Sequence, residues 1–355
     1  KELTPVYSGR EVIDRESILN LTDKMSTDGT LHWDVPDGDW MVMRIGYIPT
    51  GGPNRHGRKE LGGLECDKLS TAAAIFHWEH YPQRIIDSLT VTGSGKLEGI
   101  TMDSHEAGAQ NWTETFLEEF IQRQGYNPTF YLPAMMGYIV DGPRQSNKFL
   151  YDVRRNIADM IADNYFGTFQ RLCTARGLTL TAQAIGNGLS ITGDPIQAKS
   201  IVDKPQGEFW VRHTNGDYDI KESASAAHLY GKQIASAEAY TSVSYAHSLS
   251  DIKKSIDPAL AFGINEMVVC ATAYQPWTDK IPGNTVGGHI SGSFNRNHTT
   301  WNYSRQFWDY QARNSYVLRQ GKPHSDLCIY LGENPPVKIY TYRLPDIPAG
   351  TDFDA

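Results

Sequence analysis

The chain has 355 residues, of which 33 are Lys or Arg and 41 are Asp or Glu, so its formal net charge is −8. An acidic chain is a poor partner for nucleic acid, because phosphate binding favours a concentrated basic surface. Apolar residues make up 40% of the chain, yet no stretch approaches the ~20 uninterrupted apolar residues of a membrane span. These figures indicate a globular chain long enough for an α/β barrel, which takes roughly 250 residues or more.

Short apolar runs alternate along the chain with segments of helical periodicity, a pattern typical of βα units and a parallel sheet. The apolar runs predict strands at residues 40–47, 97–103, 129–134, 178–183, 208–211, 233–238, 266–271 and 326–331. The periodic segments predict helices at residues 68–88, 113–125, 147–177, 195–202, 222–232, 249–262 and 299–321.

Eight predicted strands favour a closed (β/α)8 barrel of the TIM type over an open doubly wound sheet. The sequence also lacks the phosphate-binding motifs of the open sheet, since no GxGxxG follows the first predicted strand and no GxxxxGK(S/T) occurs. We expect the barrel to cover residues 40–333. Residues 1–39 are predicted to be a β-rich lead-in from an upstream domain, and the Pro-rich residues 334–355 an exit linker towards a further domain.

The four cysteines, Cys66, Cys173, Cys270 and Cys328, lie far apart without CxxC or Cys/His ligand spacing. They are therefore expected to be buried free thiols rather than a disulfide framework or a zinc site. The chain begins with Lys1 instead of an initiator Met. We expect it to be a piece of a longer protein, in which case a missing targeting signal says little about the compartment.

Two glutamates are candidates for catalysis. Glu106 follows the second predicted strand, and Glu238 ends the sixth. The active site of a barrel lies at the carboxyl ends of its strands, so we expect these two side chains on opposite walls of one cavity. A protonated and an ionised carboxyl group facing each other are the minimum needed to cleave a glycosidic bond. The alternative is that either glutamate caps a helix or forms an ion pair.

Further polar and aromatic residues follow other predicted strands, and such a ring of amides, acids and indoles suits a polyhydroxylated ligand. The predicted substrate contacts are Asp103, His105, Gln183, Asn187, Trp210, Trp277 and His289. A structural role for His289 remains open. Ser104 and His105 are not assigned to a catalytic triad, because no GxSxG motif is present. Asp103, Glu208 and backbone or amide oxygens could hold Ca²⁺, although no EF-hand loop is present.

Four motifs together resemble the α-L-rhamnosidases of glycoside hydrolase family 106. They are GGLECDKLS at residues 62–70, DSHEAGAQNWT at 103–113, GEFW at 207–210 and ASAEAYT at 235–241. Each motif alone is modest, but their order and joint presence are specific. The resemblance extends from about Trp33 to the end of the chain.

The resemblance implies a catalytic barrel within a large, secreted or periplasmic enzyme with flanking β-domains. Such enzymes remove terminal α-L-rhamnose from polysaccharides with inversion of configuration and depend on calcium. Carried over by motif, Glu106 is the general acid, Glu238 the general base and Glu208 a ligand of Ca²⁺. Inversion leaves room for a water, so we expect the two catalytic carboxyl groups to be roughly 6.5–9.5 Å apart.

Two other functions remain open. One is a carbohydrate-binding barrel without catalytic activity. The other is a retaining, galactosidase-like hydrolase, which commonly carries an Asn-Glu pair at the end of the fourth strand. Residues 182–188 contain no glutamate, and Asn265-Glu266 lies at the start of the seventh predicted strand.

Overall fold

The computed structural model describes residues 12–54, 60, 62–93, 95–106, 108–185, 192–211, 217–285, 294–339, 347–348 and 350–355. Within them the strands are β1 (Val12–Ile13), β2 (Gly99–Met102), β3 (Ile139–Val140), β4 (Thr179–Ala182), β5 (Lys204–Trp210), β6 (Ser236–Thr241), β7 (Glu266–Val269), β8 (Leu327–Cys328) and β9 (Phe353–Asp354). The α-helices are α1 (Thr71–His80), α2 (Pro82–Thr92), α3 (Phe116–Gln124), α4 (Pro143–Met160), α5 (Gly167–Thr174), α6 (Pro195–Ile201), α7 (Asp217–Leu229), α8 (Leu249–Ala261) and α9 (Arg305–Leu318). A π-helical turn, Ile161–Phe166, joins α4 to α5.

The centre of the fold is a parallel sheet of five strands in the order β2-β4-β5-β6-β7. Every residue of β6 is buried except Glu238, which is half-buried. Such continuous burial is expected of a parallel strand whose two faces are both covered. Outside this sheet, β1 pairs with β3 and β8 pairs with β9. The carboxyl ends of the five parallel strands therefore meet along one edge.

Side-chain hydrogen bonds to the first backbone amides determine where α1 and α8 begin. The Ser70 hydroxyl accepts a hydrogen bond from the Ala73 N–H at the start of α1. Ser248 and Asp251 form a reciprocal capping box at the start of α8. Such caps satisfy amide groups that have no partner inside the helix, which typically stabilises the helix by about 1 kcal/mol.

Two apolar clusters hold the helices against the sheet. The first joins α3, α4 and α5 to β4, with Phe120, Phe149 and Leu180 fully buried. The second joins β6 to α8 and α9. In the described part of the chain, no helix combines the length and apolar character needed to cross a bilayer. All four cysteines are free, but the expected burial holds only for Cys173, because Cys66 and Cys270 are half-buried and Cys328 is exposed.

The α/β class and the parallel sheet are confirmed, but two predicted strands are wrong. Residues 40–47 are largely exposed and form no strand. Residues 129–134 lie within a 3₁₀ helix, Thr129–Met136, which contains Pro133 and ends at Gly137. Proline cannot donate to a strand ladder, and the apolar side chains instead pack on α4, where Tyr131 stacks on Phe149 with ring centroids 5.7 Å apart.

The last predicted strand, 326–331, forms only β8, which pairs with β9 and not with the main sheet. Over the described residues the main sheet therefore has five strands, and the closed barrel of eight strands stays a prediction. The seven predicted helices all correspond to observed helices, with 68–88 divided into α1 and α2 and 147–177 into α4, the π-turn and α5. The proposed division into domains at residues 39 and 333 also stays a prediction.

Candidate active site

Polar side chains gather at the carboxyl edge of the main sheet. Asp103 follows β2, Gln183 follows β4, Glu208 lies in β5 and Glu238 lies in β6. The strands are parallel, and Glu208 is paired in register with Glu238. Two carboxyl groups thus start from adjacent backbone positions, which are about 4.8 Å apart in a sheet.

Glu238 is oriented by two donors. The Gln183 amide donates to Glu238 Oε2 at 2.6 Å, and the Thr241 hydroxyl donates to Oε1 at 3.3 Å. Gln183 is itself buried, so its amide has little freedom to turn away. A hydrogen bond to a charged group typically contributes about 1.5–3 kcal/mol. The carboxylate is therefore held in one orientation at the mouth of the sheet.

Glu208 has an unusual protonation equilibrium. Burial and then the adjacent Glu238 carboxylate raise the pKa of Glu208 to about 7, with the Thr241 hydroxyl opposing the shift. Asp103 and Asp219 add smaller effects in the same direction. A carboxyl group in this position gives up its proton easily only when a cation or another donor compensates its charge.

Glu106 lies in the loop that follows β2 and is half-buried. The Ser104 hydroxyl donates to Glu106 Oε1 at 2.7 Å. Next to it, the His105 N–H donates to the Ala184 carbonyl at 3.0 Å, which ties this loop to the end of β4. Burial and the nearby Lys68 ammonium lower the pKa of His105 to about 3. His105, the residue before Glu106, is thus a neutral and buried side chain.

The same loop is bound to residues 66–69, which precede α1. The Gln110 amide donates to the Cys66 carbonyl and accepts from the Lys68 N–H, both at 2.8 Å. The Thr113 hydroxyl donates to Asp67 Oδ2 at 2.6 Å. The motifs at residues 62–70 and 103–113 are thus joined by hydrogen bonds into one structural unit around Glu106. Sequence reasoning assigned no role to Gln110 or Thr113, and their only signal was their place inside the motif.

Glu106 lies in the loop after β2 and Glu238 lies in β6, and these two strands are three steps apart in the main sheet because β4 and β5 lie between them. At about 4.8 Å a step, the backbones of β2 and β6 are about 14 Å apart along the sheet. Residues 129–134, predicted as the third strand, form no strand of this sheet and do not lie between β2 and β6.

The other predicted contacts are distributed as follows. Trp210 is half-buried at the end of β5. Trp277 is exposed in the loop after β7, where the Arg296 guanidinium donates to its carbonyl at 2.7 Å. Asn187 and His289 lie outside the described residues. The structure thus brings Gln183, Glu208 and Glu238 together and leaves Trp277 on an outer loop.

Cys270, beside Glu238, and Glu266, at the opposite edge of the sheet, are not assigned a catalytic role. Burial, and then the Glu238 carboxylate, raise the pKa of the Cys270 thiol to about 12, so this cysteine stays protonated and is no nucleophile. Glu266 of the Asn265-Glu266 pair lies at the start of β7, where it binds Lys204 at 3.0 Å and Arg319 at 3.3 Å. Glu266 therefore has a structural role at the opposite edge of the sheet.

The donor chemistry at the carboxyl edge is compatible with Ca²⁺, which prefers carboxylate and carbonyl oxygens. Glu208 and Glu238 bring two negative charges together, and their repulsion appears in the raised pKa of Glu208. Among the described side chains, however, no three His, Cys, Asp or Glu residues are grouped closely enough to hold a metal. A calcium ion bound to Glu208 would need further oxygens from the backbone, water or substrate.

Comparisons with known proteins show the family of this chain. Residues 1–355 match the family described as alpha-L-rhamnosidase, glycoside hydrolase family 106. A "Putative beta-glucuronidase" of Formosa agariphila is 34% identical over 357 residues, covering 99% of this chain and 30% of that protein. The structure of a rhamnosidase from Novosphingobium sp. PP1Y has 29% sequence identity and a TM-score of 0.81, covering 96% of this chain and 34% of that one. The chain thus spans about a third of the length of these relatives. It belongs to the α-L-rhamnosidase family of glycoside hydrolases, family 106.

Proposed function

We propose that the protein containing this chain hydrolyses terminal α-L-rhamnosides of oligo- or polysaccharides with inversion of configuration. The observation that carries the proposal is the Gln183–Glu238 hydrogen bond at the carboxyl edge, directly beside Glu208. A base that activates water must present an ionised, fixed carboxylate to the sugar. Glu238, which accepts from an amide and a hydroxyl, supplies such a group.

Glu106 is the general acid of this proposal. Its carboxyl group lies in the loop after β2, where it accepts a hydrogen bond from the Ser104 hydroxyl at 2.7 Å. Contacts of His105 with the end of β4 and of Gln110 with residues 66–68 restrain that loop on both sides of Glu106. Glu106 follows β2 and Glu238 lies in β6, with β4 and β5 between these strands, and this order supports the wider separation of an inverting pair.

Glu208 is the proposed ligand of Ca²⁺. Bound calcium would orient the vicinal O2 and O3 hydroxyls of rhamnose and offset the charge shared by Glu208 and Glu238. Gln183 is a positioning residue in this proposal, because its amide donates a hydrogen bond to Glu238. Asp103, which follows β2, and Trp210, at the end of β5, are retained as substrate contacts.

A second candidate is a retaining glycosidase, and one observation favours it. Glu208 and Glu238 start from paired positions of adjacent strands, and Glu208 has a pKa of about 7. A close pair with one protonated member resembles the carboxyl groups of a retaining enzyme, which are about 5–5.5 Å apart. In this second candidate Glu208 is the acid and Glu238 the nucleophile, and Glu106 has no chemical role.

Release of rhamnose from an aryl α-L-rhamnoside by the full-length protein tests the proposal. We expect Glu106→Gln and Glu238→Gln each to lower kcat at least about 100-fold, since general acid–base catalysis typically contributes 10²–10⁴-fold. Glu118→Gln, on the exposed face of α3, is the control and should leave kcat unchanged. A calcium chelator should abolish activity, and added Ca²⁺ should restore it.

An active Glu106→Gln variant would remove Glu106 from the mechanism and favour the close pair of Glu208 and Glu238. No release of rhamnose by the unmodified full-length protein would overturn the proposal. Binding of rhamnosides without turnover would instead support a carbohydrate-binding role.

A further inference from the structure

A cluster of buried charges lies directly behind β5. It consists of Lys199 in α6 and Asp219 and Glu222 in α7, with side chains that are 0%, 1% and 3% exposed. The Lys199 ammonium lies 2.5 Å from Asp219 Oδ1 and 3.7 Å from Glu222 Oε2. Residues with these charges are almost never fully buried unless they are paired, so their burial here calls for an explanation.

Asp219 connects this cluster to the candidate active site. Its second oxygen, Oδ2, accepts a hydrogen bond from the Glu208 N–H at 2.8 Å. The pairing of β5 with β6 shifts register between Glu208 and Trp210. A strand irregularity of this kind re-aims the side chains around it and disturbs the regular ladder. Asp219 therefore holds the backbone of β5 at the residue where the strand departs from regular geometry.

The start of α7 is pressed against β5 at the residue before Glu208. A Cβ added to Gly207 would lie 2.7 Å from the Asp219 carbonyl oxygen and 2.9 Å from the Ser223 hydroxyl. Only glycine permits this approach, because both neighbours are closer than Cβ contacts in proteins. The close packing leaves the Asp219 carboxylate in reach of the Glu208 amide and leaves it little room to move.

We infer that Asp219, fixed by Lys199, is a positioning residue that sets the direction of the Glu208 carboxyl group in the active site. The inference rests on the proposed function, in which Glu208 belongs to that site. Charges are costly to bury, and apolar residues of similar volume often hold two elements together equally well. A buried carboxyl oxygen aimed at one amide, by contrast, fixes that amide in distance and direction.

Glu222 provides a matched control within the same cluster. It lies beside the same lysine and is as deeply buried, but its Oε1 accepts from the Ile339 N–H at 3.1 Å and not from β5. If the cluster had a purely structural role, substitutions at Asp219 and Glu222 would have the same effect on kcat. A positioning role predicts that only the change at Asp219 affects the chemistry.

The test compares Asp219→Asn with Glu222→Gln in the full-length protein, with Tm, kcat and KM measured separately on an aryl α-L-rhamnoside. We expect both variants to lose thermal stability. Asp219→Asn should lower kcat about 10- to 100-fold with KM changed less than about threefold, because a misplacement of 1 Å can cost 10²-fold. Glu222→Gln should keep kcat within about twofold.

Equal kcat values for the two folded variants would overturn the positioning role. If Asp219→Asn does not fold, Asp219→Glu keeps the charge and moves the carboxylate by one methylene. The same loss of kcat is then expected, and a wild-type kcat overturns the inference.

Glu208→Gln separates the inference from the function on which it rests. An active Glu208→Gln variant removes Glu208 from the site and overturns the inference together with that part of the proposed function. An inactive Glu208→Gln variant beside a fully active Asp219→Asn variant overturns the positioning role alone.

Discussion

Removal of the buried lysine should destabilise the fold strongly. Lys199→Met keeps the length and apolar volume of the side chain but deletes the ammonium that contacts Asp219 and Glu222. Both carboxyl groups then lose their nearest cation and keep only the weaker influence of Lys338. Breaking a buried ion pair by removing one partner typically costs about 3–5 kcal/mol, because an uncompensated charge is left behind.

The chain contains a second ion pair that serves as a control. Lys253 and Asp257 in α8 are separated by the same 2.5 Å, but their side chains are 45% and 44% exposed. Water and salt screen such a pair, so Lys253→Met should leave the unfolding free energy unchanged within error. Distance is identical in the two pairs, and burial is the variable that differs.

Urea unfolding followed by tryptophan fluorescence gives the comparison. With an m-value of about 3 kcal/mol/M, the loss expected for Lys199→Met lowers the midpoint by about 1 M or more. The midpoint of Lys253→Met should not move. Equal midpoints for the two variants would show that the buried cluster carries no uncompensated charge, and would refute the reasoning.

Three further predictions follow from single contacts. Gln183→Met removes the 2.6 Å donor to Glu238, and kcat for an aryl α-L-rhamnoside should fall about 10- to 100-fold, the equivalent of a charged hydrogen bond; an unchanged kcat would contradict the orienting role. Gly207→Ala places a methyl group 2.7 Å from the backbone of α7, and Tm should fall by several degrees for a loss of about 1–3 kcal/mol. Burial alone would raise the pKa of Asp354, but hydrogen bonds from His228 and two serine hydroxyls hold it below its usual range. The resulting stabilisation is present above the unfolded pKa of about 3.9 and is lost as the pH falls towards the folded pKa. The urea midpoint should therefore drop between pH 5 and pH 3. In Asp354→Asn the midpoint should depend less on pH over this range.

The helices and the central strands were predictable because their signals are local. Residues 113–125 carry acidic residues in the first turn and Gly125 at the end, and α3 ends with Gly125 in the left-handed conformation. The strands β2 and β4 coincide with the predicted apolar runs. The strand β6 begins three residues later than the run predicted at 233–238, so Glu238 lies within the strand and not at its end. The carboxyl edge of the sheet followed from these strands.

The wrong strands show the limit of periodicity. Residues 129–134 form a short apolar run, and such a run cannot be distinguished by pattern alone from a buried helical turn. Pro133 was the available signal against a strand. Residues 40–47 form an apolar run of the length of a strand, but pairing with a partner is a tertiary property that such a run does not reveal.

The buried charge cluster was not predictable for a related reason. The helix predicted at 222–232 begins five residues later than α7, so Asp219 lies outside the predicted helix. Charged residues on a helix are ordinarily read as its solvated face, whereas Lys199 and Glu222 are buried. Only the three-dimensional approach of α7 to Gly207 brings Asp219 to Glu208.

The stereochemistry of the first product tests the central claim most directly. Proton NMR during the first turnovers of an aryl α-L-rhamnoside distinguishes the two anomers before they interconvert. An inverting pair made of Glu106, in the loop after β2, and Glu238, in β6, should form β-L-rhamnose first. The α-anomer should accumulate later by mutarotation. Initial formation of α-L-rhamnose would contradict the account and assign the chemistry to the adjacent pair of Glu208 and Glu238.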